Sequence, residues 1–359
     1  MVEWKKLGEV CEVLDSLRKP VAKDKRNKGD YPYYGANGIQ DYVDDYIFDG
    51  TFLLFGEDGS VINADKSPVL HWATGKIWVN NHAHILKESP KARLRYLYYC
   101  LQSTDVSDIV RGVPPKINQA NMRDIPIPLP SLSEQERIVG ILDTFTSSIE
   151  NLKAQISLRR KQYEHYRDKL LDLEGKPGVE MKTLGEVCEV INGRAYSQPE
   201  LLSEGKYRVL RVGNFFSNDS WYYSNLELED KYYCNKGDLL YAWSASFGPH
   251  IWEEEKTIYH YHIWKMNCSN KIYMKYMYYW LQSEDMKGKA FGRLHGATMA
   301  HLTKALMESL QVPLPSLEEQ SRIVSILDEF EASIKNLEAQ LEAREKQYEY
   351  YRNKLLTFE

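Results

Sequence analysis

The chain has 359 residues, of which 43% are hydrophobic, and this is enough material for two to three domains, each with its own core. No segment approaches the roughly 18 uninterrupted apolar residues of a membrane span, and the first ten residues contain no apolar signal core, so we expect a cytoplasmic protein that stays out of the membrane. The net charge of −5 is unusual for a DNA-binding protein, but the segment 318–359, with 10 acidic and 6 basic residues, accounts for most of it.

The sequence contains an internal duplication, which is the strongest guide to its organisation. Three blocks recur: LGEVCEV at 7–13 and 184–190, YLYYCLQS at 96–103 against YMYYWLQS at 276–283, and PLPSLSEQERIVGILDTF at 128–145 against PLPSLEEQSRIVSILDEF at 313–330. We call these blocks the frame, and the dissimilar residues between them, about 14–125 and 191–310, the two interiors. A common frame with different interiors predicts that the two halves of the chain have the same kind of function but different specificities.

Basic and amide side chains of the interiors are candidates for DNA contacts. Residues 18–28 carry six basic residues against Asp24 alone, a local charge of about +5, although a solvated loop would have the same composition. Asparagines in loops rich in tyrosine and glycine can present amide groups to base edges, although most of the 26 tyrosines are expected to pack in cores or loops. The predicted DNA-binding residues are Arg18, Lys19, Lys23, Lys25, Arg26, Lys28, Asn37, Arg111, Lys116, Arg194, Arg208, Arg211, Asn214 and Arg293.

Each interior is predicted to be a mixed α/β domain. Alternating apolar residues predict strands at 76–80, 207–212 and 257–265, and helical spacing appears at 94–101 and 274–281. His82 and His84, like His260 and His262, lie two apart and would share one face of a strand. A metal site is the alternative to a hydrogen-bonding role, but no third ligand stands at a suggestive spacing, so no metal is predicted.

The five cysteines also argue against a metal or disulfide framework. They form no close pair in the sequence, and Cys11 and Cys188 are one frame position seen twice. An odd, scattered set favours reduced thiols.

Two long helices are predicted after the PLPSL blocks. Apolar residues recur at steps of four and three over more than four heptads, which is typical of a coiled-coil seam. The predicted seam residues are Ile138, Leu142, Phe145, Ile149, Leu152, Ile156, Ile323, Leu327, Phe330, Ile334, Leu337 and Leu341. Arg159 and Arg344 interrupt the pattern at equivalent positions, and they would either face acidic or tyrosine partners or extend to water.

Each long helix begins with a Ser-x-x-Glu capping box, Ser131 with Glu134 and Ser316 with Glu319. A narrow apolar stripe needs a partner, and the short linker 174–180 favours antiparallel pairing of the two helices. The predicted fold is α+β, with two mixed α/β domains at opposite ends of a two-helix coiled coil and a pseudo-two-fold axis. The predicted domains are 1–130 and 177–315, with helices 131–176 and 316–359.

Sequence motifs of catalysis are absent. The chain has no Gly-x-x-x-x-Gly-Lys-Ser/Thr phosphate loop, no glycine-rich dinucleotide fingerprint and no Asp-Pro-Pro-Tyr-like or Asn-Pro-Pro-Tyr-like segment for a flipped adenine. The acidic pair Glu57 and Asp58 near Lys66 is interpreted as part of a charged loop. No catalytic residue is therefore predicted.

The two PLPSLxEQ blocks leading into long helices, the two LGEV openings and the dissimilar interiors resemble type I restriction-modification specificity subunits along the whole chain. The resemblance implies that each interior reads one half of a split site in double-stranded DNA, while the paired helices set the spacing and dock two methyltransferase subunits. It also implies that S-adenosylmethionine, ATP and Mg are used by partner chains, with restriction subunits joining through the methyltransferase. The alternatives are a coiled-coil scaffold that binds proteins and a DNA-modifying enzyme with a degenerate motif.

Overall fold

The structure, a computed structural model, describes residues 2–216, 218–244, 246–291 and 302–358. The chain divides into two compact units, one made of Met1–Lys153 with Ala339–Glu359 and the other of Ala154–Glu338. Each unit therefore combines one interior with a part of each long helix. None of the described helices is both long and apolar enough to cross a bilayer.

The first interior folds around one mixed sheet. In chain order its elements are β1 (Glu3–Lys6), α1 (Leu7–Val10), β2 (Glu12–Val13), β3 (Lys28–Gly35), β4 (Gly38–Val43), β5 (Phe48–Gly56), β6 (Leu70–Val79), β7 (Ala83–Lys87), α2 (Leu94–Gln102), α3 (Gln119–Arg123), β8 (Pro126–Leu129) and α4 (Leu132–Leu171). The large sheet has the order β2-β7-β5-β6-β3-β4, and β1 pairs with β8. Within this sheet, all of whose strands lie in the described residues, only β3 and β6 pair in parallel.

The second interior distributes its strands over two sheets. Its elements are β9 (Glu180–Thr183), α5 (Leu184–Val187), β10 (Cys188–Asn192), β11 (Tyr207–Leu210), α6 (Val212–Phe216), β12 (Tyr222–Ser224), β13 (Tyr233–Cys234), β14 (Leu239–Ser244), β15 (Ser246–Ile251), β16 (Thr257–Tyr259), β17 (Ile263–Cys268), α7 (Met274–Gln282), α8 (Glu284–Phe291), α9 (Lys304–Ser309), β18 (Gln311–Leu314) and α10 (Leu317–Leu356). In its described part the sheets are β10-β17-β14-β15 and β12-β11-β16-β13, and β9 pairs with β18.

The repeated frame makes the same contacts in both units. Gln135 of the first PLPSLSEQ block is fully buried; its side-chain oxygen accepts from the Arg93 amide at 2.9 Å, and its nitrogen donates to the Pro130 and Lys91 carbonyl oxygens. Gln320 does the same in the second unit, accepting from the Tyr273 amide at 2.9 Å. A buried amide is tolerated only when its polar atoms are paired, so this glutamine joins the start of each long helix to its interior.

A frame tyrosine adds a second equivalent contact. Tyr96 donates its hydroxyl to the Pro128 carbonyl oxygen at 2.8 Å, and Tyr276 donates to that of Pro313 at 2.8 Å. Both rings are fully buried. The frame therefore repeats as geometry as well as sequence.

The two long helices pair in antiparallel fashion. In the first unit Phe145 stacks on Tyr351 with ring centroids 5.3 Å apart, while Lys153, further along α4, reaches back to Glu345 at 2.9 Å. In the second unit Tyr166 stacks on Phe330 at 5.5 Å. The predicted fold class, mixed α/β interiors with two long paired helices, is confirmed.

The interrupting arginines take a partner that the sequence did not predict. The Arg159 guanidinium lies 5.8 Å from the centroid of the Phe330 ring, and that of Arg344 lies 5.6 Å from Phe145. Each cation thus lies near a phenylalanine ring of the other helix.

The seam residues are divided between the helix pair and the interiors. Ile138 and Leu142 are fully buried in the core of the first unit, as are Ile323 and Leu327 in the second. The other predicted seam residues are buried or half-buried: Phe145, Ile149, Leu152, Ile156, Phe330, Ile334, Leu337 and Leu341. The first turns of each stripe therefore pack against an interior as well.

The predicted capping boxes are only half formed. Ser131 accepts a bond from the Glu134 amide at 3.3 Å, but the Glu134 carboxylate pairs with Arg137 at 2.6 Å instead of returning to the serine amide. Ser316 and Glu319 behave alike, with Arg322 as the competing cation. An arginine one turn away offers the carboxylate a charged donor, which is the stronger partner.

One predicted strand is wrong in extent. The segment 257–265 is two strands separated by a turn, because the Arg194 carbonyl accepts from the Tyr261 amide at 3.0 Å and breaks the run. His260 and His262 therefore lie in the turn region, and they do not share one face of a continuous strand. The strand predicted at 207–212 ends at Leu210, while α2 and α7 coincide with the predicted helices.

Two cysteines that are distant in the sequence meet in the second unit. Cys188 of β10 and Cys268 of β17 are cross-strand partners with their sulfurs 3.8 Å apart. The hydrogen bond between them raises the pKa of the Cys188 thiol and lowers that of Cys268. No local pattern predicts this pair, because it is antiparallel pairing of strands 80 residues apart that brings the two cysteines together.

Candidate nucleic-acid interface

Residues 18–28, which we call the basic segment, lead from β2 to the first residue of β3 and carry exposed cations on an anchored backbone. Its exposed lysines are Lys19, Lys23, Lys25 and Lys28. No carboxylate of the described residues forms an ion pair with these four. The Trp78 indole donates to the Lys19 carbonyl oxygen at 2.6 Å and the Val21 amide donates to the Tyr33 hydroxyl at 2.9 Å. Ammonium groups on an anchored segment suit phosphate contacts.

The two arginines of this segment point inward instead. Arg18 donates to the Glu57 carboxylate at 2.5 Å and to the Ala83 carbonyl oxygen at 2.9 Å, and its side chain is 14% exposed. Arg26 lies 4.1 Å over the Tyr33 ring and donates to the Val21 carbonyl oxygen. They fix the segment to the sheet, and the lysines provide its outward charge.

Arg18 belongs to a buried polar network that sequence reasoning missed. His84 is fully buried, with Nδ1 2.6 Å from the Asp15 carboxylate and Nε2 2.9 Å from the Ile117 carbonyl oxygen. A carbonyl and a carboxylate both accept, so each ring nitrogen of His84 is placed to donate a hydrogen bond. Burial raises the pKa of Asp15, but the His84 hydrogen bond and charge, the Ile85 amide and Arg18 outweigh it and lower the pKa.

The same network contains the one acidic and histidine cluster of the described residues whose ligand atoms, within 4.8 Å, could share a cation: Asp15, Glu57 and His84. The Arg18 guanidinium already donates to Glu57, and both ring nitrogens of His84 are hydrogen-bonded. These three side chains are therefore paired with one another and with Arg18, and together they form a charge network. Glu57, which the sequence placed in an unremarkable charged loop, is one of its central members.

Two further candidates lie on exposed turns of the first unit. Asn37 is exposed in the turn between β3 and β4, where Gly38 has a φ of +87° that favours glycine. Lys116 lies 3.3 Å from the other oxygen of the Glu57 carboxylate. Since Arg18 and Lys116 share Glu57, the basic segment begins beside the residues 111–116.

The candidates of the second unit are more constrained. Arg208 pairs with Glu254 at 2.6 Å. The Asn214 amide is used within its own loop, accepting from the Arg211 amide and donating to the Asn218 and Ser220 carbonyl oxygens. Asn214 therefore shapes a loop in this structure. Arg293 lies outside the described residues.

Arg194 and Arg211 retain donors without partners. Arg194 pairs with Glu200 at 2.6 Å, yet its buried Nη1, like the buried Nε of Arg211, has no hydrogen-bond partner among the described residues. His260, in the turn after β16, forms an isolated bridge with Arg194. Burial first, then the charges of His262 and Arg211, lower the pKa of His260 to about 4. The surroundings are thus rich in donors and cations, an environment that favours an anion.

The chain matches one known protein family over most of its length. The model of the type I restriction modification DNA specificity domain matches residues 1–159 and again residues 177–344. The chain belongs to the type I restriction-modification specificity subunits. Specificity subunits are the sequence-recognising, non-catalytic component of their systems, and the two matched ranges are the two copies of the duplication.

Relatives of this specificity subunit match it over almost its full length. It is 35% identical to a Haemophilus influenzae protein described as a type I restriction enzyme specificity subunit, covering 99% of this chain and 96% of the relative. It is 27% identical to the EcoR124I/EcoR124II specificity subunit of Escherichia coli, covering 99% and 94%. The fold is that of the type I S subunit of M. genitalium, with a TM-score of 0.66 and 17% identity over 100% and 97% of the two chains.

Proposed function

We propose that this specificity subunit reads a two-part sequence in double-stranded DNA, with one half-site for each interior. The observation that carries the proposal is the combination of a shared frame, including the buried Gln135 and Gln320, with interiors built on different sheets. Because the two copies of the frame are alike, they can bind the same kind of partner. The two interiors differ, so they can recognise different base sequences.

The paired helices α4 and α10 set the distance between the half-sites and dock two methyltransferase subunits, one on each copy of the frame. Restriction subunits join through the methyltransferase, and S-adenosylmethionine, ATP and Mg are used by those partners. Lys19, Lys23, Lys25, Lys28, Asn37, Arg111 and Lys116 face the DNA in the first unit. Arg194, Arg208, Arg211 and Arg293 do so in the second.

The test exchanges one interior and maps methylation in a host that carries the partner subunits. Replacing residues 14–125 with the corresponding interior of another specificity subunit should change one half-site and leave the other unchanged, because the second interior and the frame are untouched. Replacing residues 191–310 is the reciprocal control and should change only the other half-site. If either exchange altered both half-sites, the interiors would not read independently.

A protein-binding scaffold would give a different result. Such a chain would co-purify with partners but would not confer sequence-dependent DNA binding on the methyltransferase. Sequence-specific retention of duplex DNA by the assembled complex, and its absence without this chain, separates the two functions.

A further inference from the structure

A small hairpin projects from the first unit at residues 111–116, with the sequence RGVPPK. Arg111 and Lys116 face each other and exchange two backbone hydrogen bonds, of 2.9 and 2.8 Å. Gly112 has a φ of +81°, the left-handed conformation that glycine adopts without strain. The remaining residues, Val113, Pro114 and Pro115, form the tip. We refer to residues 111–116 as the RGVPPK hairpin.

The hairpin is firmly attached at its base. The Gly59 amide donates to the Pro115 carbonyl oxygen at 2.9 Å and the Ile117 amide donates to that of Glu57 at 2.9 Å. Ile117 is fully buried, and its carbonyl oxygen accepts from His84 in the charge network. The RGVPPK hairpin is therefore an extension of the core, and its two prolines restrict the backbone of the tip.

The tip has an unusual composition for a surface exposed to water. All six residues are exposed, and Val113 is completely so, at 101% of its reference area. Arg111 has no ion-pair partner among the described residues; its guanidinium donates only to the neighbouring Val110 carbonyl oxygen. One exposed valine is ordinary. A rigid apolar tip between two cations, beside the Arg18 end of the basic segment, instead matches a groove in which apolar groups of the bases lie between two rows of phosphates.

We propose that the RGVPPK hairpin enters the DNA major groove and that Val113 contacts the methyl group of a thymine in the first half-site. The major groove, about 12 Å wide, admits a two-stranded ribbon, and the thymine C5 methyl is the apolar group on its floor. Arg111 and Lys116 then lie toward the phosphates on either side. This inference rests on the proposed function and adds a specificity-determining residue to it.

The test uses the full chain assembled with its methyltransferase subunits, on duplexes in which single thymines are replaced by deoxyuridine, which lacks the methyl group. At one position of the first half-site we expect deoxyuridine to weaken wild-type binding about fivefold or more, the effect of losing one base contact. Val113→Ala should weaken binding to the thymine duplex similarly and be insensitive to deoxyuridine there. Because Val113 is exposed, the thermal midpoint of V113A should equal that of the wild type.

A charge-matched pair of variants tests the flanking cation. Arg111→Gln should reduce the slope of log affinity against log salt by about one, whereas Lys91→Gln, whose ammonium bonds the Glu9 carbonyl oxygen, should leave it unchanged. The inference is overturned if no thymine position shows this coupling to Val113, or if the coupled position lies in the second half-site. A wild-type complex without sequence-specific binding would instead contradict the proposed function itself.

Discussion

At the scale of single residues, Asp15 is the centre of a hydrogen-bonded network that joins several segments of the first interior. Its carboxylate accepts from His84, Gln119 and the Ile85 amide, and it lies 3.5 Å from Arg18. Through His84 and Ile117 this network supports the base of the RGVPPK hairpin. Removing one member of a buried charge network is costly because the opposite charges remain buried without a partner.

We therefore expect Asp15→Asn to lower the free energy of unfolding by about 3 kcal/mol or more at neutral pH. The folded pKa of Asp15 lies below the ordinary value, so its stabilising effect is present above about pH 4, the value of an unfolded aspartate, and is lost as the pH falls further. Urea unfolding of wild type and D15N at pH 7 and below pH 4 measures this, and the gap should shrink in acid. The exposed Asp24→Asn removes the same charge as a control; equal stabilities of D15N and D24N would contradict the network's role.

At the scale of elements, the two long helices carry complementary charges at equivalent positions. Lys153 pairs with Glu345 at 2.9 Å and Arg160 pairs with Glu338 at 2.5 Å. In the duplication, position 153 corresponds to 338 and position 160 to 345. The first helix is thus basic where the second is acidic, and the pairing of unlike helices is favoured over the pairing of like ones.

Reversing the charges of the first helix should weaken the helix pair. The double variant Lys153→Glu and Arg160→Glu places like charges opposite Glu345 and Glu338, and we expect a loss of stability of up to about 1 kcal/mol per pair, since the pairs are exposed. Adding E338K and E345K restores complementarity and should restore the thermal midpoint. Both changes should fade in 1 M salt, where the charges are screened; a loss that persisted in salt would indicate a packing defect instead.

At the scale of the whole molecule, the duplication predicts that half of the chain can pair with itself. A fragment ending near Lys176 lacks α10, which covers the core of the first unit with Tyr348, Leu355 and Leu356. A second copy of α4 can substitute for it, since Tyr163 and Leu170 are the equivalents of Tyr348 and Leu355. Like charges would then meet, with Lys153 of one copy opposite Arg160 of the other.

We expect the fragment to form a dimer that tightens as salt is raised at low ionic strength, because the repulsion is screened. Lys153→Glu alone should tighten the dimer at low salt, since each new glutamate meets Arg160 of the other copy, whereas the double variant with Arg160→Glu should not. Sedimentation equilibrium measures both. With partner subunits, the dimer should direct methylation to an interrupted palindrome of the first half-site; a soluble monomer, or methylation of a non-palindromic site, would contradict this.

Local patterns determined the features that depend on neighbours along the chain. The spacing of apolar residues specified both long helices, the short linker 174–180 favoured their antiparallel pairing, and the repeated blocks specified two copies of one frame. The equivalence of the Gln135 and Gln320 contacts could also be predicted, because the same glutamine stands in both PLPSLxEQ blocks. A repeat within one sequence allows this prediction, because the same residues at equivalent positions bury the same side chains in both copies.

Only the tertiary structure decided which charges face outward. Arg18 and Lys19 are neighbours of equal charge, but Arg18 is drawn inward by Glu57, 39 residues away, while Lys19 is exposed. The pairing of Cys188 with Cys268 and the meeting of Asp15 with His84 likewise depend on which strands lie side by side. Such partners are set by strand register over long separations, and no local period in the sequence encodes them.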